Sequence, residues 1–506
     1  MDTVKKISEG LLICPEFDFC AVGECSGEVI MPDYYPEIRR VVSVSAEALP
    51  DSKFISDKSL EYGGTVSFNV LYIGDDGALS CVSDSPEYSF TQSLPASVSG
   101  AAVWVETRAE NPQCRVLAPR KLSLRARLRS RICADGGAPY RFGVTDRLGE
   151  ICGGDMADTL EKHCTEAVTV IRRHTAYTGS TSGSIGISSE AKPVMCDGSV
   201  TVTGAEAHGD RISLSGFVSV HVVTLDGTGI YSYTRTRLPF EEDIPADGAA
   251  EGDSAAAWGR AASVSINQGD SGFEADAEYD LDVFWCRPCP VTLTDDAYST
   301  EYVTEVRRTE TDILSPLCCC TGEVSITGEG KRSGSREADA YIVDAAAFPD
   351  FEKAECRDGK LVFSGNCAFK VYVASGGEVE CEEFSLPLKY ETAAKGDAAP
   401  SECVWRAHPA VEDVKARLDG ERINVAADMS VFAEAVRKEK REPVTEAVLG
   451  DRRADRGQEC IRICYPRQGE TVWEVAKRCG ASMSELERIN RISGDGVCDG
   501  SPIITK

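Results

Sequence analysis

A glycine opens an alternating strand three times in this chain, at positions some 150 residues apart. The stretches are Gly64 to Tyr72 (GTVSFNVLY), Gly216 to Thr224 (GFVSVHVVT) and Gly365 to Val373 (GNCAFKVYV). Val66, Phe68 and Val70 share one face of the first strand. Val218, Val220 and Val222 do so in the second, and Cys367, Phe369 and Val371 in the third. Side chains alternate across a strand, so each set predicts one buried face. Turn formers follow each strand, at Gly74 to Gly77, Asp226-Gly227 and Gly376-Gly377, as a hairpin requires. A tryptophan comes next in every copy: Trp104, Trp258 and Trp405. A last alternating strand closes each copy, through Leu122 to Leu128, Ala275 to Val283 and Ile423 to Val431. A period this long excludes a solenoid of short repeats and predicts separate β-rich domains in tandem.

The predicted fold is mainly β. Residues 1–26 read as a lead-in, and 27–150, 160–295 and 296–436 as three β-rich domains. Residues 437–458 mix charge with Pro and Gly and read as a charged linker, and 459–506 as a small C-terminal module. In the first copy Lys121, Arg125, Arg127, Arg129 and Arg131 line the face opposite Leu122 to Leu128. The usual role of such a stripe is a solvated face; the alternative is a receiving face for an acidic partner or a neighbouring domain.

Charge narrows the function. The chain has 506 residues and a formal charge of −28, which opposes binding to nucleic acid or to an anionic membrane. Neither an apolar leader of 7–15 residues nor a run of ~20 apolar residues is visible, so a cytoplasmic protein without membrane insertion is expected. The 22 cysteines follow no framework spacing and read as reduced thiols that pack as small hydrophobes.

Catalytic patterns are sparse. Cys286-Arg-Pro-Cys289 lacks the second ligand pair that a zinc site needs. Cys318, Cys319 and Cys320 are adjacent, and a strand turns the middle one away from its neighbours. The five histidines (His163, His174, His208, His221 and His408) stand far apart, in no Ser/His/Asp or Cys/His arrangement. No phosphate-binding glycine loop occurs. The expectation is a protein with no enzymatic activity, no cofactor and no metal.

The C-terminal module carries sharper signals. Ile461 to Tyr465 is a short apolar strand. Thr471-Val-Trp-Glu474 forms a capping box, and Gly480 occupies a left-handed C-cap position. Ser482-Met-Ser-Glu485 reads as a second box, and Ile503-Ile504 as a closing strand. The order strand–helix–helix–strand resembles a LysM domain through Tyr465, Gly469-Glu470-Thr471, Trp473, Val475-Ala476, Leu486, Ile489-Asn490, Gly500 and Ile503. The resemblance implies a groove between two loops, 469–472 and 490–497. Its candidate partner- or glycan-binding residues are Gly469, Glu470, Thr471, Trp473, Asn490, Arg491 and Asp495. Of these, Glu470, Trp473, Arg491 and Asp495 are expected to face solvent as docking residues. LysM domains bind glycans that contain N-acetylglucosamine, and some dock proteins.

The body has a resemblance of its own. Met31-Pro-Asp-Tyr-Tyr-Pro-Glu-Ile-Arg-Arg-Val41 followed by the Gly64 strand resembles the SPOCS domain of spore-coat morphogenetic proteins. Tyr302 to Arg308 echoes that lead-in in the third copy. Tandem SPOCS-like domains before one LysM-like module are similar to the SipL type of coat protein. That resemblance implies work in the mother-cell cytoplasm, at the forespore surface, with the coat-basement ATPase and other spore-coat proteins as partners. The LysM-like module would be the dock. A peptidoglycan or N-acetylglucosamine ligand is the alternative.

Overall fold

In a computed structural model the described residues are 8–95, 102–147, 158–269, 272–333, 339–453, 461–492, 496, 498 and 500–505. They are mainly strand, as the alternation predicts, and the three repeats share one strand plan. Copy one holds β1 (Ser8–Ile30), β2 (Ile38–Ser56), β3 (Ser59–Gly74), β4 (Leu79–Asp84), β5 (Glu87–Ser93), β6 (Ala102–Ala118) and β7 (Lys121–Asp146). Copy two holds β8 (Leu160–Ile185), β9 (Lys192–His208), β10 (Arg211–Leu225), β11 (Tyr231–Pro245), β12 (Ser254–Gly269) and β13 (Gly272–Ser299). After β14 (Tyr302–Arg308), copy three holds β15 (Thr311–Lys331), β16 (Tyr341–Arg357), β17 (Lys360–Ser375), β18 (Glu378–Ala393), β19 (Cys403–Asp419) and β20 (Arg422–Arg441). β21 (Val444–Arg452) ends the body.

Each copy is a two-layer sandwich. One layer is an antiparallel meander centred on the strand of the repeated glycine: β2-β3 with β4 and β5, β9-β10-β11, or β16-β17-β18. The other pairs the last strand with both the first and the penultimate one: β1-β7-β6, β8-β13-β12, or β15-β20-β19. The predicted faces meet between the layers. Val66, Phe68 and Val70 share a core with Leu122, Leu124, Ala126 and Leu128, and the corresponding rows fill the other two cores.

From Ser8 onward the expected lead-in of residues 1–26 is a strand, because Ser8–Ile30 pairs along the length of β7; residues 1–7 lie outside the described residues. Phe17, Phe19 and Ala21 pack on the first core at period two, the signal that reading missed. The linker also needs correction. β20 runs on to Arg441, and Val444–Arg452 is a strand that pairs antiparallel with β14 and parallel with the end of β7. Val444, Ala447 and Leu449 are fully buried there, and that burial outweighs the charged composition around them. The basic stripe is paired with carboxylates of its own copy, and Arg131 also donates to Trp405 O of copy three at 2.8 Å. Glu28 pairs with Lys121, Glu24 with Arg125, Glu110 with Arg127 and Arg129, and Asp18 with Arg131.

The repeated glycines have a steric reason. A β-carbon on Gly64, Gly216 or Gly365 would collide with the carbonyl oxygen of Leu49, Thr201 or Asp350 on the neighbouring strand. The register shifts beside all three contacts, at Pro50/Ser52, Ser215/Gly216 and Phe351/Lys353, so a bulge presses backbone onto backbone. Gly365→Ala should lose about 1–3 kcal/mol, the usual cost of overpacking, read as a lower urea midpoint at an unchanged slope.

The copies close on one another head to tail. β4 of copy one lies against β9 of copy two, β11 against β16 of copy three, and β18 against β2 of copy one. A repeated heterologous contact of this kind closes a ring when the rotations add to a full turn. The Tyr231 hydroxyl accepts from Leu79 N at 2.8 Å, and the Tyr341 hydroxyl accepts from Tyr231 N at 3.1 Å. Arg39 and Arg40 of copy one grip Glu378 of copy three at 2.6 and 3.3 Å. The sheets of the last strands meet at a second junction. There the Arg406 guanidinium lies 4.7 Å from the Trp104 ring centre, and Trp104 meets Phe284 edge-on at 6.0 Å. His408 stacks on Trp258 at 4.1 Å and 7°.

His408 makes this junction acid-sensitive. Burial pushes its imidazole from 6.5 down to about 4, against the pull of Glu106, whose carboxylate lies 3.3 Å from Nδ1. Arg108, Arg260 and Asp282 are the other charges that act on it. The unfolded chain takes up this proton near pH 6.5 while the folded chain stays neutral to about 4. Acid therefore favours unfolding across that window, and stability falls as the pH drops. His408→Phe keeps a ring on Trp258 and should flatten that part of a melting-temperature profile against pH.

Candidate functional site

The C-terminal module folds around two short helices. β22 (Ile463–Cys464) pairs antiparallel with β23 (Ile503–Ile504). Between them lie α1 (Val472–Cys479) and α2 (Met483–Asn490). The first capping box forms as expected: Glu474 N donates to the Thr471 hydroxyl at 3.2 Å, and Thr471 N to the Glu474 carboxylate at 2.9 Å. Gly480 ends α1 at φ 64°, in the left-handed region. The second box does not form, since the Ser482 hydroxyl caps no amide and lies 3.0 Å from that of Ser484.

One face of α1 is docked on the body. Trp473, Lys477 and Gly480 recur at helical spacing along it. Trp473 Nε1 donates to the Asp296 carboxylate at 2.9 Å, and Lys477 Nζ reaches both oxygens of that carboxylate at 2.7 Å. The indole lies against Tyr298 at 4.9 Å and His163 at 5.3 Å. The Tyr298 hydroxyl donates to Ala481 O at 2.8 Å. Burial alone would raise the Asp296 carboxyl, but its bonds to Lys477 and Trp473 hold it below the ordinary value. The module is thus anchored where β13 ends.

That anchoring revises the expected docking face. Trp473 is 6% exposed and faces the body instead of solvent. Glu470 is 9% exposed. It is held by Arg478 at 2.8 Å and by the amide of Arg467 at 2.7 Å, and these contacts bring its carboxyl down to about 2. Asn490 clamps α2 to β23, donating to Leu486 O and Ile504 O and accepting from Ile504 N at 2.7–2.9 Å. Gly469, at φ 81°, and Arg491, at φ 56°, are exposed, and Thr471 is half-buried. Asp495 lies outside the described residues. The two candidate loops do meet: Val472 N donates to Gly496 O at 3.1 Å and Cys498 N to Glu470 O at 2.9 Å.

The surface that the sequence reading missed is the strand before the first loop. Ile461, Ile463 and Tyr465 are 69%, 54% and 70% exposed, while Cys464 between them is buried. Among the described residues β22 pairs with β23 alone, and the Tyr465 carbonyl accepts from Arg478 at 3.2 Å. The sequence marks this stretch as a short apolar strand and does not say which of its faces is covered. With Cys464 inward, period two places both isoleucines and the tyrosine outward.

The other motifs serve packing. Cys286 packs with Val170, Leu314 and Val436, and Cys319 packs against that cluster, while Cys318 and Cys320 join the third sandwich core. Among the described residues no three His, Cys, Asp or Glu side chains are grouped to hold a metal ion, and no helix is long and apolar enough to cross a membrane. No protein-family model, curated protein or solved structure matches this chain.

Proposed function

We propose that this chain is a non-enzymatic spore-coat assembly protein that holds coat components at the forespore surface, in the mother-cell cytoplasm. Its SPOCS-like sandwiches form a ring that carries the LysM-like module, and the module docks the coat-basement ATPase. One observation carries the docking reading. Trp473 is consumed by the contact with the body, and the apolar row Ile461, Ile463 and Tyr465 is left facing solvent on a strand with which only β23 pairs among the described residues. Such a row suits strand addition, in which backbone bonds give affinity and alternate side chains give specificity. The ring and linked module also favour multivalent tethering, where one contact raises the effective concentration of the next.

Capture of the coat-basement ATPase by the full chain tests this. Ile463→Glu or Tyr465→Glu should weaken capture roughly ten- to a hundredfold, the equivalent of one lost apolar anchor. Unchanged capture would rule the row out. The second reading, a ligand of N-acetylglucosamine type, draws on the meeting of the two loops around Gly469 and Gly496. Titration of the full chain with N-acetylglucosamine oligomers separates the two, and saturable heat with intact ATPase capture in Ile463→Glu would favour the glycan.

A further inference from the structure

The outer face of the second sandwich carries a bare acidic row. Glu274, Asp276, Glu278 and Asp280 alternate on β13 with core residues, and the first three are exposed. Their strand neighbours are short and neutral. Asp276 stands between Ser182 of β8 and Ser265 of β12, and Glu278 between Ser180 and Ser263. Asn267 donates to Asp276 at 2.8 Å, Ser263 to Glu278 at 3.1 Å and Thr178 to Asp280 at 2.8 Å, and among the described residues no Lys or Arg pairs with any of the four. The same layer of the first sandwich has the opposite sign. Arg125, Arg127 and Arg129 are more than half exposed on β7. Lys121 and Arg125 each have a carboxylate of their own, but Arg127 and Arg129 share Glu110 at 3.9 and 3.8 Å. Arg115, exposed beside Ser123 on that face, pairs with no carboxylate among the described residues. The face therefore keeps a surplus of positive charge in a chain whose formal charge is −28.

We propose that molecules of this protein associate in series, with the basic row of β7 in one molecule set on the acidic row of β13 in the next. Both rows lie on the last strand of one strand plan, so both step by two residues, about 7 Å, along a sheet. Rows of equal period meet one to one when two sheets pack with their strands nearly aligned. The long guanidinium stems reach the carboxylates because serines flank them. Arginine binds a carboxylate through two parallel N–H groups, which fixes register as well as affinity. Three strands about 4.8 Å apart and some seven residues long cover roughly 300 Å² per molecule, well under the ~800 Å² of a standard interface. One contact is therefore weak, and repetition strengthens it. Each molecule offers one row of each sign on different faces, so the contact is heterologous and builds an open chain unless the rotation closes. The formal charge of −28 opposes association at low salt, but at about 0.15 M the screening length is ~8 Å, and the facing rows dominate. The contact uses no part of the C-terminal module, so it stands apart from what that module docks.

Sedimentation of the full chain at about 10 and about 100 µM, in about 0.15 M and about 1 M sodium chloride, tests this. The weight-average mass should rise with concentration in the lower salt and return to that of the monomer in the higher. Asp276→Lys with Glu278→Lys, and separately Arg127→Glu with Arg129→Glu, should each weaken association about a hundredfold, since like charges then face each other. Mixing the two double variants should restore association, because a basic row again meets an acidic one, and that recovery also shows that both variants are folded. A monomer under all four conditions would overturn the proposal. So would association that either double variant leaves intact, or variants that melt with the parent and stay monomeric when mixed. A wild-type chain that stays monomeric yet binds a lysine homopolymer through Asp276 and Glu278 would assign the acidic row to a different basic partner, and would overturn the proposal as well.

Discussion

Replacing Glu434 by alanine is expected to cost about 3–5 kcal/mol, as the loss of one partner from a buried ion pair does. Its carboxylate sits between two buried arginines, Arg406 at 3.1 Å and Arg172 at 3.6 Å, and all three side chains are 3–5% exposed. Arg172 belongs to copy two, whereas Arg406 and Glu434 belong to copy three, so the triad spans a seam of the ring. Removing that carboxylate takes away the ion-pair partner that both buried guanidinium groups share. The intact triad need not add much stability, since each ion lost its hydration when it was buried. Substituting all three with apolar residues of similar volume should therefore restore most of what Glu434→Ala loses. Urea unfolding of the single and triple variants measures both terms. A single variant within 1 kcal/mol of the parent would show that water reaches the triad.

Trp473→Ala should cost the C-terminal module about 3–5 kcal/mol, as large aromatic deletions do in a packed core. The indole fills the module's own cluster and also binds Asp296 through Nε1. Hydrogen exchange at the amides of α1 should accelerate strongly, while the strands of the three sandwiches keep their protection. Asp296→Ala separates the two roles. It leaves the indole packed but removes the acceptor shared with Lys477, so it should loosen the contact with β13 and disturb the helices less. If α1 exchanges no faster in Trp473→Ala, the module is held by something other than this ring.

Local rules made much of this chain legible. Period-two rows such as Val218, Val220 and Val222 became sandwich cores, because a strand with one apolar face has to bury it. Thr471, Glu474 and Gly480 capped α1 as read, since a cap depends on a few adjacent residues. Reading failed where a neighbour distant in sequence decided the outcome. Val444–Arg452 looked like linker because its charges dominate its composition, yet β7 and β14 complete its ladder. Trp473 looked available because its partner Asp296 lies 177 residues away.

By itself the sequence determined the unit: a glycine and the alternating strand after it, repeated three times, and a capped helical module. Those features follow from backbone geometry and side-chain period within short windows. The tertiary structure alone decided how the units meet. It closed the copies head to tail, set Arg406 against Trp104, buried Trp473 on the end of β13 and left Ile461, Ile463 and Tyr465 outside. Which of two apolar surfaces is covered depends on the shape and charge of the surface that meets it, and no window of sequence contains both.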